Sequence, residues 1–128
     1  MPTMKRNNEL VLHILTTLDR FDHPISLSLS YFTDFSELDQ EGLDDHVDLV
    51  VAKGFIKLSG RNCYELTWEG QDFLGYSSDY SLWRGATQVA GHLSFDAFYV
   101  VLKDLMLWKA RKVAEEFSQR ESAKKKCK

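Results

Sequence analysis

Phe55-Ile-Lys-Leu-Ser59, Gly60-Arg61-Asn62 and Cys63-Tyr-Glu-Leu66 form the stretch whose reading decides the fold. Two short runs of strand-forming residues flank three residues that suit a tight turn, which predicts a β-hairpin. Upstream, Leu43 to Lys53 predicts a helix with an apolar stripe of Leu43, Val47, Val50 and Val51, closed by Gly54 as a left-handed cap. Further upstream, Leu10, Val11, Ile14, Leu15, Leu18 and Phe21 recur on one face of a helix over 8–21, started by Asn7 or Asn8 and ended by Pro24. Between these helices, Ile25-Ser-Leu-Ser-Leu-Ser30 alternates with period two, as a half-buried strand does, and Ser36 to Asp39 can cap a turn.

Downstream of the hairpin, Thr67 is placed to cap a short helix from Trp68 to Leu74, with Gly75 as its stop. Tyr76 to Tyr80 reads as polar loop, Ser81 to Ala90 as a short helix, and Ser94 as the cap of a long helix to about Phe117. The fold class is therefore α+β. Helix, strand, helix and hairpin follow in the order of a winged helix-turn-helix core, here with two additional C-terminal helices. The expected organisation is a winged-helix domain over 1–75, a helical extension over 76–119 that packs on it or dimerises, and a basic disordered tail over 120–128.

The chain has 128 residues, room for one core, and its 44% hydrophobic content is ordinary for a globular domain. Cys63 and Cys127 make neither a CxxC pair nor a disulfide framework, which points to a reducing, cytoplasmic setting. No apolar run approaches the roughly 18 residues of a membrane span, and no signal peptide opens the chain, so no membrane partner is expected. The net charge of -3 conceals an asymmetry: residues 1–102 carry a net -8 and residues 103–128 a net +5. Asp34, Glu37, Asp39, Glu41, Asp44, Asp45 and Asp48 follow one another with no Lys or Arg among them, whereas Lys124, Lys125, Lys126 and Lys128 crowd the end.

Several segments resemble a bacterial and phage family, domain-of-unknown-function family 2513. Leu66-Thr67-Trp68-Glu69-Gly70-Gln71-Asp72-Phe73-Leu74 is similar to its LTWEGH-x-FL motif, with Gln71 at the usual His. Met4 to Leu10 with Ile14-Leu15 resembles its opening. His46-Val47, Leu49-Val50 and Lys53-Gly54-Phe55-Ile56 are similar to its central stretch, with Asp45 at the usual Tyr, and Leu93-Ser94-Phe95 also fits. The resemblance implies a winged-helix protein of phage or prophage type and carries no established activity.

Residue chemistry argues against an enzyme. No GxSxG, GxGxxG or phosphate-binding loop is present, and no Ser-His-Asp or Cys-His order stands out. Asp44-Asp45-His46-x-Asp48 has the residue types of a metal site, but His46 lies about 100° round the helix from Asp45 and has no second His at i+4. Glu69 and Asp72 suit the start of a helix better than acid–base work. No metal and no cofactor are expected, and Trp68 and Phe73 are expected to be buried in the core.

Two binding readings follow. The first is a DNA-binding regulator that touches phosphates through Lys53, Lys57 and Arg61 at the helix end and hairpin, Lys5 and Arg6 at the first helix, and Lys124, Lys125 and Lys126 in the tail. The second is a protein-interaction module, because the outward face of the second helix carries Asp45, Asp48 and Leu49, and carboxylates there repel a DNA backbone. In the last helix, Phe95, Phe98, Tyr99, Leu102, Met106, Val113 and Phe117 make one stripe, while Val100, Val101, Leu107 and Trp108 lie off it. A helix apolar on more than one side wants more than one partner. One side is expected on the winged-helix core, and Leu107 and Trp108 against a second subunit of a homodimer.

Overall fold

The computed structural model describes residues 7–91 and 93–126, with side chains as far as residue 120. It is mostly helical with a small antiparallel sheet, in two compact units, Met1–Ser78 and Asp79–Lys128. The boundary falls after Ser78 rather than at the expected residue 75, because Gly75 does not stop the helix that contains it.

In the first unit, α1 spans Asn8–Asp19 and is capped by Asn7, whose side-chain oxygen accepts from the backbone N–H of Glu9 and Leu10. Its predicted stripe is buried at Leu10, Val11, Ile14, Leu15 and Leu18, each burial stabilising by roughly 1.5–3 kcal/mol. Phe21 lies past the helix end and is exposed.

The strand expected over 25–30 shrinks to one bridge, Ile25 to Tyr64, with Tyr64 N–H donating to the Ile25 carbonyl at 2.7 Å. The serines explain the rest. Ser28 Oγ accepts from the Ser30 N–H and caps a short 3-10 helix, Leu29–Phe32, so side-chain bonding replaces the ladder.

Helix α2 spans Gln40–Ala52, and Asp39 caps it by accepting from the Gly42 N–H at 2.7 Å. It starts earlier than expected because Gly42 sits inside the first turn rather than breaking it. The inward face is Gly42, Leu43, His46, Val47 and Val50, so His46 takes the place expected of Val51, which is 38% exposed.

The hairpin forms as predicted. Strands β1, Ile56–Leu58, and β2, Tyr64–Leu66, pair antiparallel with Ile56 opposite Leu66, Lys57 opposite Glu65 and Leu58 opposite Tyr64. Gly60 and Asn62 turn the chain with φ of 84° and 56°, a region glycine and asparagine tolerate.

The LTWEG stretch then clamps α3, Trp68–Ser77, onto the start of the hairpin. Thr67 caps α3 by accepting from the Gly70 N–H at 3.1 Å, and its hydroxyl donates to the Gly54 carbonyl. Its own N–H donates to the Phe55 carbonyl at 3.0 Å. Gly70 faces the same carbonyl so closely that a Cβ there would lie 2.1 Å from the oxygen. Phe73 then stacks on Phe55, ring centroids 5.0 Å apart. The N-terminal unit thus has an element order compatible with a winged-helix-like layout.

The second unit is a helical hairpin. Helix α4, Tyr80–Ala90, is capped by Asp79 and ends at Gly91. Helix α5 spans Phe95–Lys126, and Ser94 Oγ accepts from the Ala97 N–H at its start. Phe95, Phe98 and Leu102 are buried; Trp83 of α4 meets Phe98 edge-on at 4.9 Å. Lys109 pairs with Asp79, tying α5 to the start of α4. Where a disordered tail was expected over 120–128, α5 continues through Lys126. Glu115, Glu116, Gln119, Arg120 and Ala123 are good helix formers, with neither Gly nor Pro to stop them.

Candidate interaction surfaces

The outward face of α2 is built from the same period that buries its inward face. Glu41, Asp44, Asp45 and Asp48 recur at i, i+3, i+4 and i+7, and all four are exposed. Leu49 is half-buried at the edge of this face. No Lys or Arg occurs from Gln40 to Ala52, and Gln40 Nε2 donates to Asp44 Oδ1 at 2.9 Å along the face. The expected pair Asp45 and Asp48 therefore belongs to a stripe of four carboxylates.

His46 belongs to the fold rather than to a metal site. It is 3% exposed, its Nδ1 donates to the Gly42 carbonyl at 2.7 Å, and its Nε2 accepts from the Asn7 N–H at 3.0 Å. Donating at one nitrogen and accepting at the other requires the neutral ring. The side chain thus ties α2 to the cap of α1, and both its ring nitrogens are occupied. Among the described residues, no group of three His, Cys, Asp or Glu is placed to hold a metal ion.

Basic residues of the hairpin are scattered rather than massed. Lys57 Nζ lies 3.1 Å from Glu65 Oε1, its register partner, so the hairpin's central positive charge is offset. Arg61 is exposed at the turn between Gly60 and Asn62. Lys53 caps the end of α2, half-buried. Lys5 and Arg6 lie outside the described residues, as do the side chains of Lys124, Lys125 and Lys126.

Trp68 overturns an expectation. It is 86% exposed, while its motif neighbour Phe73 is fully buried. At the first position of α3 its side chain points away from the face that Gly70 and Phe73 press onto Phe55. The signal that could have found it is spacing: Gly70 and Phe73 are i, i+3 partners on α3, and Trp68 is off their line. One turn on, Gln71 lines a small cleft of about 180 Å³ with Phe21, Asp22, His23 and Glu65. Asp22 there is held below its ordinary carboxylate value, chiefly by its hydrogen bond with His23.

On α5, Leu107 and Trp108 are 45% and 56% exposed, and every residue from Leu107 to Arg120 is exposed. Val113 and Phe117, expected on the packed stripe, are 57% and 64% exposed. Trp108 lies beneath Lys112, whose ammonium is 5.7 Å from the ring centre. Among the described residues, no helix is long and apolar enough to cross a membrane. Comparison of the chain with protein-family models finds no match, and neither the curated proteins nor the solved structures provide one.

Proposed function

We propose that the chain is a non-enzymatic, winged-helix-like protein that uses the outward face of α2 to dock a basic protein surface rather than to read DNA bases. The observation that carries this reading is the stripe of Glu41, Asp44, Asp45 and Asp48, exposed on the helix that would enter a major groove. A recognition helix brings donors and cations to base edges and phosphates; four carboxylates there repel the backbone. Toward a cationic protein surface the same charges speed encounter and fix orientation. Leu49 at the edge of the stripe supplies apolar contact. Homodimer formation through α5 belongs to the same reading.

A second reading is favoured by the exposed Arg61 at the hairpin turn. In it the protein is a DNA-binding regulator of phage or prophage type, as the LTWEG resemblance implies, and contacts phosphates through Arg61, Lys53, Lys57 and the lysines at the end of α5. Such contacts carry little sequence information. One experiment separates the two: titration of labelled duplex DNA at several salt concentrations, with wild type and with Lys57→Glu/Arg61→Glu and Asp45→Lys/Asp48→Lys. Docking of proteins by α2 predicts negligible DNA affinity in the wild type and a gain on reversing Asp45 and Asp48. Steep, salt-dependent wild-type binding that Lys57→Glu/Arg61→Glu abolishes would overturn it in favour of the second reading.

A further inference from the structure

The cleft at the end of α1 joins an aromatic ring to separated carboxylates. Leu18 and Phe21 give it an apolar lining, and Asp19, Asp22, Glu65 and Gln71 a polar one. Edge-on contacts with His23 at 5.8 Å and Tyr31 at 6.1 Å hold the Phe21 ring, which is still 36% exposed. Asp19 ends α1, at the negative end of the helix dipole, where the last turn holds no basic residue. Among the described residues no cation pairs with Asp19, and the neighbouring Arg20 does not line the cleft. Asp22 accepts from His23 Nδ1 at 3.0 Å, and Glu65 meets Lys57 through Oε1. A carboxylate has two oxygens and about four acceptor sites, so both keep acceptor capacity.

We propose that this cleft takes the side chain of an arginine presented by a protein partner. Its volume of about 180 Å³ suits one side chain and falls short of the roughly 300–1,000 Å³ of small-molecule sites. Among the described residues no three acidic, histidine or cysteine groups are placed to share a metal ion, so the acceptors are spread rather than convergent. A guanidinium answers that arrangement. Its five donors lie in a flat fork that reaches separated acceptors, and its face stacks on an aromatic ring. An ammonium is a compact point charge and meets only part of the set. A cation in the cleft also offsets the carboxylate that α1 sets against its own dipole.

This inference shares with the reading above only the basic protein partner, and it names an anchor outside α2. The test is a titration of the isotope-labelled full chain at physiological salt, followed by backbone amide shifts. The probes are the blocked tripeptides acetyl-Gly-Arg-Gly-amide and acetyl-Gly-Lys-Gly-amide, up to tens of millimolar. The arginine peptide should give saturable shifts centred on Phe21, His23 and Gln71, and should bind more tightly than the lysine peptide by about threefold. Asp19→Asn and Glu65→Gln should each weaken it by roughly two- to fivefold, the size of an exposed ion pair. Asp45→Lys/Asp48→Lys should leave it unchanged, because distant charges are screened. Shifts that do not saturate, or that centre on α2, overturn the cleft as a site. Equal affinity for the two peptides overturns its choice of arginine. A silent cleft leaves the α2 reading standing, so the two fail separately.

Discussion

The two units of this chain are built on opposite plans. In the first, segments far apart in sequence hold one another: His46 bonds the cap of α1, Ile25 bridges Tyr64, and Gly70 lies on the Phe55 carbonyl. In the second, two helices adjacent in sequence pack on each other, and one is far longer than the other can cover. The first plan uses its apolar residues inside and presents charge and one bare tryptophan outside. The second leaves an apolar seam over. Where long-range links close a unit, its apolar residues are used inside; where a short helix meets a long one, part of the long one's apolar surface stays exposed.

The sharpest way to break the comparison is to remove an indole from each unit. Trp83 is 6% exposed against Phe98, so Trp83→Ala should destabilise the second unit by about 3–5 kcal/mol. Trp68→Ala should cost the first unit less than about 0.5 kcal/mol. Urea melts of both variants decide it; comparable losses would mean that Trp68 packs after all.

A glycine pair tests the long-range clamp. Gly70→Ala drives a Cβ into the Phe55 carbonyl and should destabilise by about 3 kcal/mol. Gly75→Ala, on the same helix with open space around its Cβ, should stabilise by up to about 1 kcal/mol. The two melts should move in opposite directions, and a mild Gly70→Ala would show that α3 slides freely over the hairpin.

His46→Ala leaves the Asn7 N–H without its partner and should cost about 1–3 kcal/mol. Amide exchange is the finer measurement, since protection should fall first at the start of α1, where the tie is cut.

The smallest effect is electrostatic and belongs to the second unit. Hydrogen bonding to Lys109, and to the backbone N–H groups of Leu82 and Ser81, holds the Asp79 carboxyl below its ordinary 3.8. A depressed carboxyl stabilises fully above its unfolded value. That contribution is lost as pH falls from about 3.8 through the lowered folded value. Acid titration of the melting temperature should show this loss in wild type and a flatter profile in Asp79→Asn.

How much of this was legible in the residues divides along the same line. Local pattern carried α1, the hairpin and its turn, because helical stripes and turn residues state themselves in sequence. It failed where a distant partner decides. His46 looks polar until Asn7 is brought to its ring, and Val51 looks like core until His46 takes its place. The serines of 25–30 alternate like a strand but bond their own backbone. Trp68 reads as core on size alone, although the Gly70–Phe73 spacing points the packed face elsewhere. The acidic character of α2 was plain in the sequence, and its extent as a stripe of four required the true helix start at Gln40.

The burial of Trp83 has a spectroscopic consequence. The chain has 3 tryptophans, and of these only Trp83 lies in an apolar interior, in the second unit. Trp68 already emits from water in the folded state. Unfolding of the first unit therefore brings little change in indole emission, while unfolding of the second shifts it to the red. A fluorescence melt follows the helical hairpin, and circular dichroism follows both units together. Any gap between the two midpoints measures how far the units melt independently. A ligand that covers Trp68 would shift its emission to the blue without unfolding anything.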